Sequence, residues 1–220
     1  MYDDRPVRLK IEDFMKKLFL IFAFIFSVSG IFAQSKPDAL VLYRNGNYPE
    51  AIKICEQEII TNPKNIDSYC VLCWSLVRNR QYAEAEVRSV EARKVAPNDV
   101  RLMEVLGEAK YYQGKNNEAL EMFRTYIANA PANAARIGNA YYYMGEIYIR
   151  QGKYQHADIS MTTAVYTEPL VDLWWTRCGY AREMAGSYAS ALDAYSKAIE
   201  LNASQADAAR GKERVTARLR

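Results

Sequence analysis

The side chains that most often carry out chemistry are sparse in this sequence of 220 residues. It contains one histidine, His156, which has no second imidazole with which to build a zinc site. No HExxH pattern, no Gly-x-Ser-x-Gly pattern and no phosphate-binding loop ending in Gly-Lys-Ser or Gly-Lys-Thr is present. We therefore predict that the protein is not an enzyme, that it has no catalytic or metal-binding residues, and that it needs no cofactor.

The four cysteines are the remaining candidates for chemistry. Cys70 and Cys73 form a C-x-x-C pair, which occurs in redox-active dithiols and as half of a zinc site. A redox pair lies at the N-terminus of a helix, which lowers the pKa of the thiol, whereas this pair falls inside a predicted helix. Cys73 and Cys178 fall at positions expected in the core, and Cys55 replaces a large apolar residue. We interpret the cysteines as small hydrophobic side chains, and a redox or metal role for Cys70 and Cys73 is the alternative.

The composition is that of an ordinary folded protein, with 50% hydrophobic residues, 25% charged residues and a net charge of +3. A basic cluster occurs only at the C-terminal end (Arg210, Lys212, Arg214, Arg218 and Arg220). Cations at the end of a helix complement its dipole, and binding to nucleic acid requires a larger basic face. We therefore expect no nucleic-acid partner.

Residues 15–33 have the layout of a secretory signal peptide. Lys16 and Lys17 precede an apolar stretch over residues 18–26, and small residues follow up to Ala33, where cleavage is expected. An uncleaved membrane anchor is the alternative, although residues 18–33 are shorter than the roughly 20 residues of a spanning helix. We predict an exported protein, periplasmic or secreted, that meets the membrane only through this signal.

Residues 1–14 match no part of a signal peptide. Met15 stands directly before the two lysines of the basic region. We therefore expect translation to begin at Met15, with residues 1–14 as an untranslated extension of the sequence.

A short motif recurs along the rest of the chain at a nearly fixed period. Its marker is an alanine that follows a turn segment (Ala51, Ala85, Ala119, Ala157 and Ala191). Successive markers are separated by about 34 residues, except for a slightly longer interval before Ala157. A proline follows each of the first four markers at a constant distance (Pro63, Pro97, Pro131 and Pro169). A fixed period of this length indicates a stack of similar structural units.

Each unit is predicted to consist of two helices. Upstream of each turn, a large side chain is followed at helical spacing by an apolar residue and then a small one (Tyr69/Leu72/Cys73, Met103/Leu106/Gly107, Tyr141/Met144/Gly145 and Trp175/Cys178/Gly179). The small residue allows a neighbouring helix to approach closely. The turn separates the two helices, and the proline ends the second one.

These residues resemble the tetratricopeptide repeat, a helix–turn–helix of about 34 residues with small residues at its eighth and twentieth positions and a proline near its end. The resemblance covers residues 32–205 in five units (32–65, 66–99, 100–133, 138–171 and 172–205; 34–205 once the signal is removed). It implies an all-α, right-handed superhelical solenoid. Asp38 departs from the pattern because it occupies an apolar position. Four extra residues, 134–137, precede the fourth unit, and we expect them to lengthen its first helix by about one turn.

Residues 206–220 are predicted to form a C-terminal capping helix, because the last unit of a solenoid requires a hydrophilic cover. Ala206, Ala208, Ala209 and Val215 are expected to pack against the fifth unit, while the arginines face water.

In this family, the first helices of successive units line a concave face where partners usually bind. The resemblance therefore implies a partner-binding set on that face (Tyr43, Arg44, Trp74, Arg78, Glu108, Tyr111, Tyr112, Tyr142, Arg150 and Tyr180). Tyr, Trp and Arg are the residue types that dominate binding hot spots. Packing is the alternative role for Tyr43, Tyr111 and Tyr142. The repeat does not call for aromatics at Trp74, Tyr112 and Tyr180, so we expect these three to be partly exposed.

One ligand class of the family is not expected. Members that bind chaperone tails grip a terminal carboxylate with Lys, Asn and Arg side chains. The corresponding positions are Leu40, Val71 and Val105.

The sequence predicts a non-catalytic protein- or peptide-binding adaptor or scaffold in the cell envelope. Two alternatives remain: a structural subunit that self-assembles into a homo-oligomer, and a ligand-binding component of a transport system.

Overall fold

The computed structural model describes residues 38–220, and this part of the chain is helical without any strand. Eleven helices follow one another through short turns: α1 (Ala39–Arg44), α2 (Tyr48–Thr61), α3 (Ile66–Arg78), α4 (Tyr82–Val95), α5 (Val100–Tyr112), α6 (Asn116–Asn129), α7 (Ile137–Arg150), α8 (Tyr154–Thr167), α9 (Asp172–Met184), α10 (Tyr188–Leu201) and α11 (Ala206–Arg218). The all-α fold class predicted from the sequence is confirmed. The predicted signal peptide and extension lie outside the described residues.

The helices form two layers. The first helices of the units (α1, α3, α5, α7 and α9) each contact the next first helix, and α9 contacts α11. The second helices (α2, α4, α6, α8 and α10) contact the first helices on either side, but within residues 38–220 no second helix packs against another. The array therefore bends toward the first helices, which line its concave face. The right-handed sense of the superhelix stays a prediction.

The turn inside each unit requires a residue in the left-handed region. Gly114 occupies this position at φ 74°, and three other units also use glycine. The second unit places Arg80 there at φ 61°, which is uncommon for a residue with a side chain. The repeated turn geometry is therefore kept even where the sequence lacks the glycine.

The core lies between the two layers. The five marker alanines are completely buried. On α5, a Cβ added at Gly107 would lie 2.8 Å from the ring of Phe123, and on α9 a Cβ at Gly179 would lie 2.7 Å from the ring of Tyr195. The small residues of the first helices therefore leave space that large side chains of the second helices fill.

The extra residues before the fourth unit do not lengthen its first helix by a turn, so that expectation was wrong. Helix α7 has 14 residues, compared with 13 in α5. The insertion instead forms two successive turns, in which Ala134 donates to the carbonyl of Pro131 (2.9 Å) and Ile137 donates to that of Ala134 (3.1 Å). This connection directs the side chain of Arg136 toward α5.

Asp38, which departs from the repeat pattern, caps α1. Its carboxylate accepts from the backbone N–H groups of Leu40 (2.8 Å) and Val41 (3.3 Å). A carboxylate at this position satisfies two donors that have no partner within the helix.

Helix α11 covers the end of the array. Its residues Ala208, Gly211 and Val215 are buried, and they pack with Tyr195 of α10. The expected contribution of Ala206 and Ala209 was wrong, because both are exposed. The spacing of three and four residues places only the other three on the buried face. None of the helices within residues 38–220 is long and apolar enough to cross a membrane.

Candidate partner-binding face

The last residue of each first helix stands at the rim of the concave face. We call these residues the terminal row, and all five are exposed (Arg44, Arg78, Tyr112, Arg150 and Met184). Among the described residues, no carboxylate oxygen lies within ion-pair distance of the three arginines. The row therefore presents three arginines that form no ion pair in this part of the chain, together with an exposed tyrosine and an exposed methionine.

At the N-terminal end of the face, Tyr43 and Trp74 lie side by side with ring centroids 6.0 Å apart. Both are half-buried. The phenol of Tyr43 has a raised pKa, mainly because of burial, although the positive charges of Arg78 and Arg136 act in the opposite direction. The indole N–H of Trp74 is buried and donates to no acceptor in the described structure.

Tyrosines form a connected group at the centre of the face. Tyr112 is 42% exposed and stacks on Tyr82 at 4.7 Å, while the adjacent Tyr111 is buried. The guanidinium of Arg150 lies 4.1 Å from the ring centroid of Tyr111, a cation–π contact that orients this arginine at the rim. Burial raises the pKa of Tyr111 to about 12. The hydroxyls of Tyr112 and Tyr143 are 3.3 Å apart.

Below these rings lies a buried charge cluster built on α5. Glu104 is 1% exposed and Glu108 is 3% exposed. Tyr143 donates to Oε1 of Glu108 at 2.7 Å, and Nη2 of Arg136 donates to Oε2 at 2.7 Å. Nε of Arg136 lies 2.8 Å from Oε1 of Glu104, but its N–H is not directed at that oxygen, so the contact is ionic without a hydrogen bond. Burial raises the pKa of Glu104, and the charge of Arg136 opposes this shift.

Toward the C-terminal end, Tyr142 stacks on Trp174 with ring centroids 5.2 Å apart. Tyr180 is half-buried, and the guanidinium of Arg177 lies 5.2 Å from its ring centroid. Arg177 also donates to both carboxylate oxygens of Glu146, at 2.5 and 2.9 Å. An ion pair thus joins the fourth and fifth units on this face.

The residues predicted to bind a partner differ in accessibility. Arg44, Arg78, Tyr112 and Arg150 are exposed, and Tyr43, Trp74, Tyr142 and Tyr180 are half-buried. Glu108 and Tyr111 are buried. Glu108 accepts a hydrogen bond from Tyr143, and the ring of Tyr111 contacts the guanidinium of Arg150. Trp74, Tyr112 and Tyr180 are partly exposed, as expected. Direct contact of these ten residues with a partner stays a prediction.

The cysteines have none of the features of a reactive site. All four are buried and form no disulfide. Burial raises the pKa of Cys70 and of Cys73 to about 12, opposite to the low thiol pKa of a redox pair. Within residues 38–220, no group of three or more His, Cys, Asp or Glu side chains is arranged to hold a metal ion.

A family model for the tetratricopeptide repeat matches residues 72–134 and 105–157. These matches fall on the helix pairs described above, at the period found in the sequence. The matched part of the chain, residues 72–157, consists of tetratricopeptide repeats (TPRs).

Solved structures share this TPR fold. MamA from Desulfovibrio magneticus RS-1 superposes with a TM-score of 0.64 at 20% identity, over 76% of this chain and 92% of that chain. PilF from Pseudomonas aeruginosa gives a TM-score of 0.72 at 13% identity, over 82% and 81% of the two chains. YrrB, a TPR protein with an unusual peptide-binding site, gives 0.65 at 16% identity, over 74% and 82%.

A curated relative is subunit 3 of the anaphase-promoting complex of Schizosaccharomyces pombe. It is 27% identical over 154 residues, which is 68% of this chain. The matched region spans 22% of the length of that subunit. The similarity therefore concerns the repeat region and not the whole of that protein.

Two residues that hold side chains of the candidate face in place were missed by the sequence analysis. Arg136 lies in the insertion, outside any repeat position, so the period gave no signal for it. Tyr143 occupies a helix position next to the predicted Tyr142, and its hydroxyl joins Tyr112 to Glu108. The run of three tyrosines, 141–143, was the available signal.

Proposed function

We propose that this protein is a non-catalytic adaptor or scaffold that holds a protein or peptide segment along its concave face. The single observation that carries the proposal is the terminal row. It offers three cations without carboxylate partners in the described structure, beside exposed aromatic and apolar side chains. Arginine and tyrosine at a concave surface are typical of binding hot spots.

The chemistry of this face defines the partner. Unpaired guanidiniums attract carboxylates, and the aromatic rings provide apolar contact area. A segment that carries both acidic and apolar side chains is complementary to the face. Peptide binding by YrrB supports this use of the fold.

We propose that the adaptor acts in the cell envelope, on the outer side of the membrane that its signal peptide directs it across. The layout of residues 15–33 supports this location. Fusion of the first 40 or so residues to a reporter that is active only after export would test it. An inactive reporter would contradict export.

The binding proposal can be tested with variants that remove one charge. Arg78→Gln and Arg150→Gln change exposed side chains without ion pairs, and Arg150→Gln also removes the cation–π contact with Tyr111. The free energy of unfolding should therefore fall by no more than about 1 kcal/mol in either variant. Each variant should nevertheless capture less partner after crosslinking in the native envelope.

Lys94→Gln is the matched control, because Lys94 is an exposed cation on the second helix α4. This variant should capture as much partner as the unmodified protein. Equal capture by all three variants would contradict the proposal. A discrete large homo-oligomer in light scattering, with no captured partner, would favour the self-assembling subunit instead.

A further inference from the structure

The concave face continues past the fifth unit onto α11. This helix contacts α9, as α9 contacts α7. Arg210 and Arg214 stand one repeat period after Thr176 and Tyr180 of α9, and Tyr180 belongs to the predicted partner-binding set. Helix α11 therefore repeats the first-helix position of a sixth unit, and it adds two arginines to the face in addition to covering the core.

A cavity of about 370 Å³ lies between α9 and α11. Leu173, which is 46% exposed, and the ring of Tyr180 provide apolar surface in it. Three guanidiniums line it as well, from Arg177, Arg210 and Arg214, together with the carboxylate of Asp207.

The charges around this cavity are partly compensated. Arg214 donates to both oxygens of Glu183, each at 2.7 Å, and Arg177 donates to Glu146. Arg210 donates to Asp207, one turn earlier on α11, where both side chains are largely exposed. This last pair is the weakest of the three, because an exposed ion pair is strongly hydrated.

The unpaired N–H donors around the cavity favour a ligand that accepts hydrogen bonds. A guanidinium has five N–H donors. Among the described residues, Nη1 of Arg177, Nη1 of Arg214, and Nε and Nη1 of Arg210 donate to no acceptor. The oxygens of Glu146 and Glu183 already accept from these arginines, and Glu183 also accepts from Tyr195. Asp207 also lines the cavity, and its Oδ2 accepts no hydrogen bond among the described residues. Within residues 38–220, the cavity thus has four guanidinium nitrogens without an acceptor and one carboxylate oxygen without a donor.

We infer that α9 and α11 form a carboxylate-binding pocket at the C-terminal end of the concave face. The pocket binds an acidic side chain or the terminal carboxylate of the partner segment, and an adjacent apolar side chain lies on Leu173 and Tyr180. Arg210 is the main ligand-binding residue, because it is held only by an exposed carboxylate. This inference rests on the proposed function, since the pocket forms one end of the concave face that is proposed to bind the partner.

Fluorescence anisotropy of the purified full-length chain with labelled peptides tests the pocket. The probe is a short peptide of alternating leucine and glutamate, and its analogue has glutamine in place of glutamate. Each is made with a free and with an amidated C-terminus. Arg210→Gln should weaken binding of the glutamate peptide by about fivefold or more, as expected for a lost charged hydrogen bond. Binding of the amidated glutamine analogue should not change.

Lys212→Gln is the control, because it removes the same charge from an exposed position of α11 outside this pocket. It should leave binding unchanged. If the effect of Arg210→Gln requires glutamate in the peptide, the pocket binds a side chain, whereas if it requires the free C-terminus, the pocket binds the chain terminus. Equal effects of the two variants, or no effect of Arg210→Gln, would overturn the inference.

Different results would contradict the pocket and the proposed peptide binding by the concave face. If Arg78→Gln and Arg150→Gln weaken peptide binding while Arg210→Gln does not, the concave face binds the peptide and only the pocket is wrong. If the unmodified protein binds none of the peptides, or if none of the concave-face variants has an effect, the pocket and the proposed peptide-binding function are both contradicted.

Discussion

Arg136 lies with its Nε 2.8 Å from Oε1 of Glu104, and it joins the connection before α7 to a carboxylate that is buried in α5. The same guanidinium donates to Glu108. One cation from the insertion therefore compensates two buried carboxylates of the preceding unit. The insertion that interrupts the repeat period thus supplies the charge that this buried cluster requires.

Removing this cation should destabilise the fold. Arg136→Met removes the cation that contacts Glu104 and Glu108 and leaves only the positive charge of Arg78, which forms no ion pair with either carboxylate. We expect the free energy of unfolding to fall by about 3 kcal/mol. Chemical denaturation measures this change. The triple variant Arg136→Met with Glu104→Gln and Glu108→Gln should recover most of the loss, because no charge is then buried. An ordinary surface substitution lowers the free energy of unfolding by about 0.5 kcal/mol or less. If Arg136→Met lowers it by no more than this, the buried cluster does not need the charge of Arg136.

The stability of the protein should depend on pH through Glu86. Burial acts to raise its pKa, but hydrogen bonds from Lys115, Lys110 and Gln113 outweigh this effect and lower the pKa to about 2. A carboxyl whose pKa is lower in the folded state stabilises the fold above its unfolded value of 4.5, and this stabilisation is lost as the pH falls toward 2.

Glu86→Gln should therefore lower the free energy of unfolding by about 1–2 kcal/mol at pH 7. The difference between the variant and the unmodified protein should shrink between pH 4.5 and pH 2, as measured by denaturation over this range. Glu121→Gln, at a site without an ion pair in the described structure, is the control. A difference that stays constant down to pH 2 would contradict the role of Glu86.

The packing of α11 can be tested at Gly211. A Cβ at this position would lie 2.2 Å from Cζ of Tyr195, whose hydroxyl is held by Glu183. Gly211→Ala gains helix propensity of about 1 kcal/mol, but the overlap costs about 1–3 kcal/mol. We expect a net decrease in the melting temperature, whereas Lys212→Ala on the exposed side should have little effect. An increase for Gly211→Ala would show that α11 is not packed closely on Tyr195.

The repeat period predicted most of the fold, because the residues that set it are those that pack. The marker Ala119 is completely buried, and Gly107 meets Phe123 as the small residue of a close helix contact. The course of the insertion could not be predicted, since periodicity carries no information about residues outside the period.

The candidate site was predicted less completely than the fold. Tyr111 and Tyr112 are adjacent in the sequence, yet one is buried and the other is exposed, and the contacts with Arg150 and Tyr82 that decide this come from other units. Arg210 and Arg214 stand at the repeat spacing. The sequence analysis considered them as part of a C-terminal basic cluster and of a cap, so their place on the concave face became apparent only from the cavity beside α9.

The central claim is that the partner lies on the first helices. Photo-crosslinking from two tyrosine positions in the native envelope tests it most directly, with p-benzoylphenylalanine in place of Tyr112 or Tyr166. Tyr112 is 42% exposed on the first helix α5, and Tyr166 is 77% exposed on the second helix α8. We predict a crosslinked partner from Tyr112 and none from Tyr166. A partner crosslinked from Tyr166 and not from Tyr112 would contradict the claim.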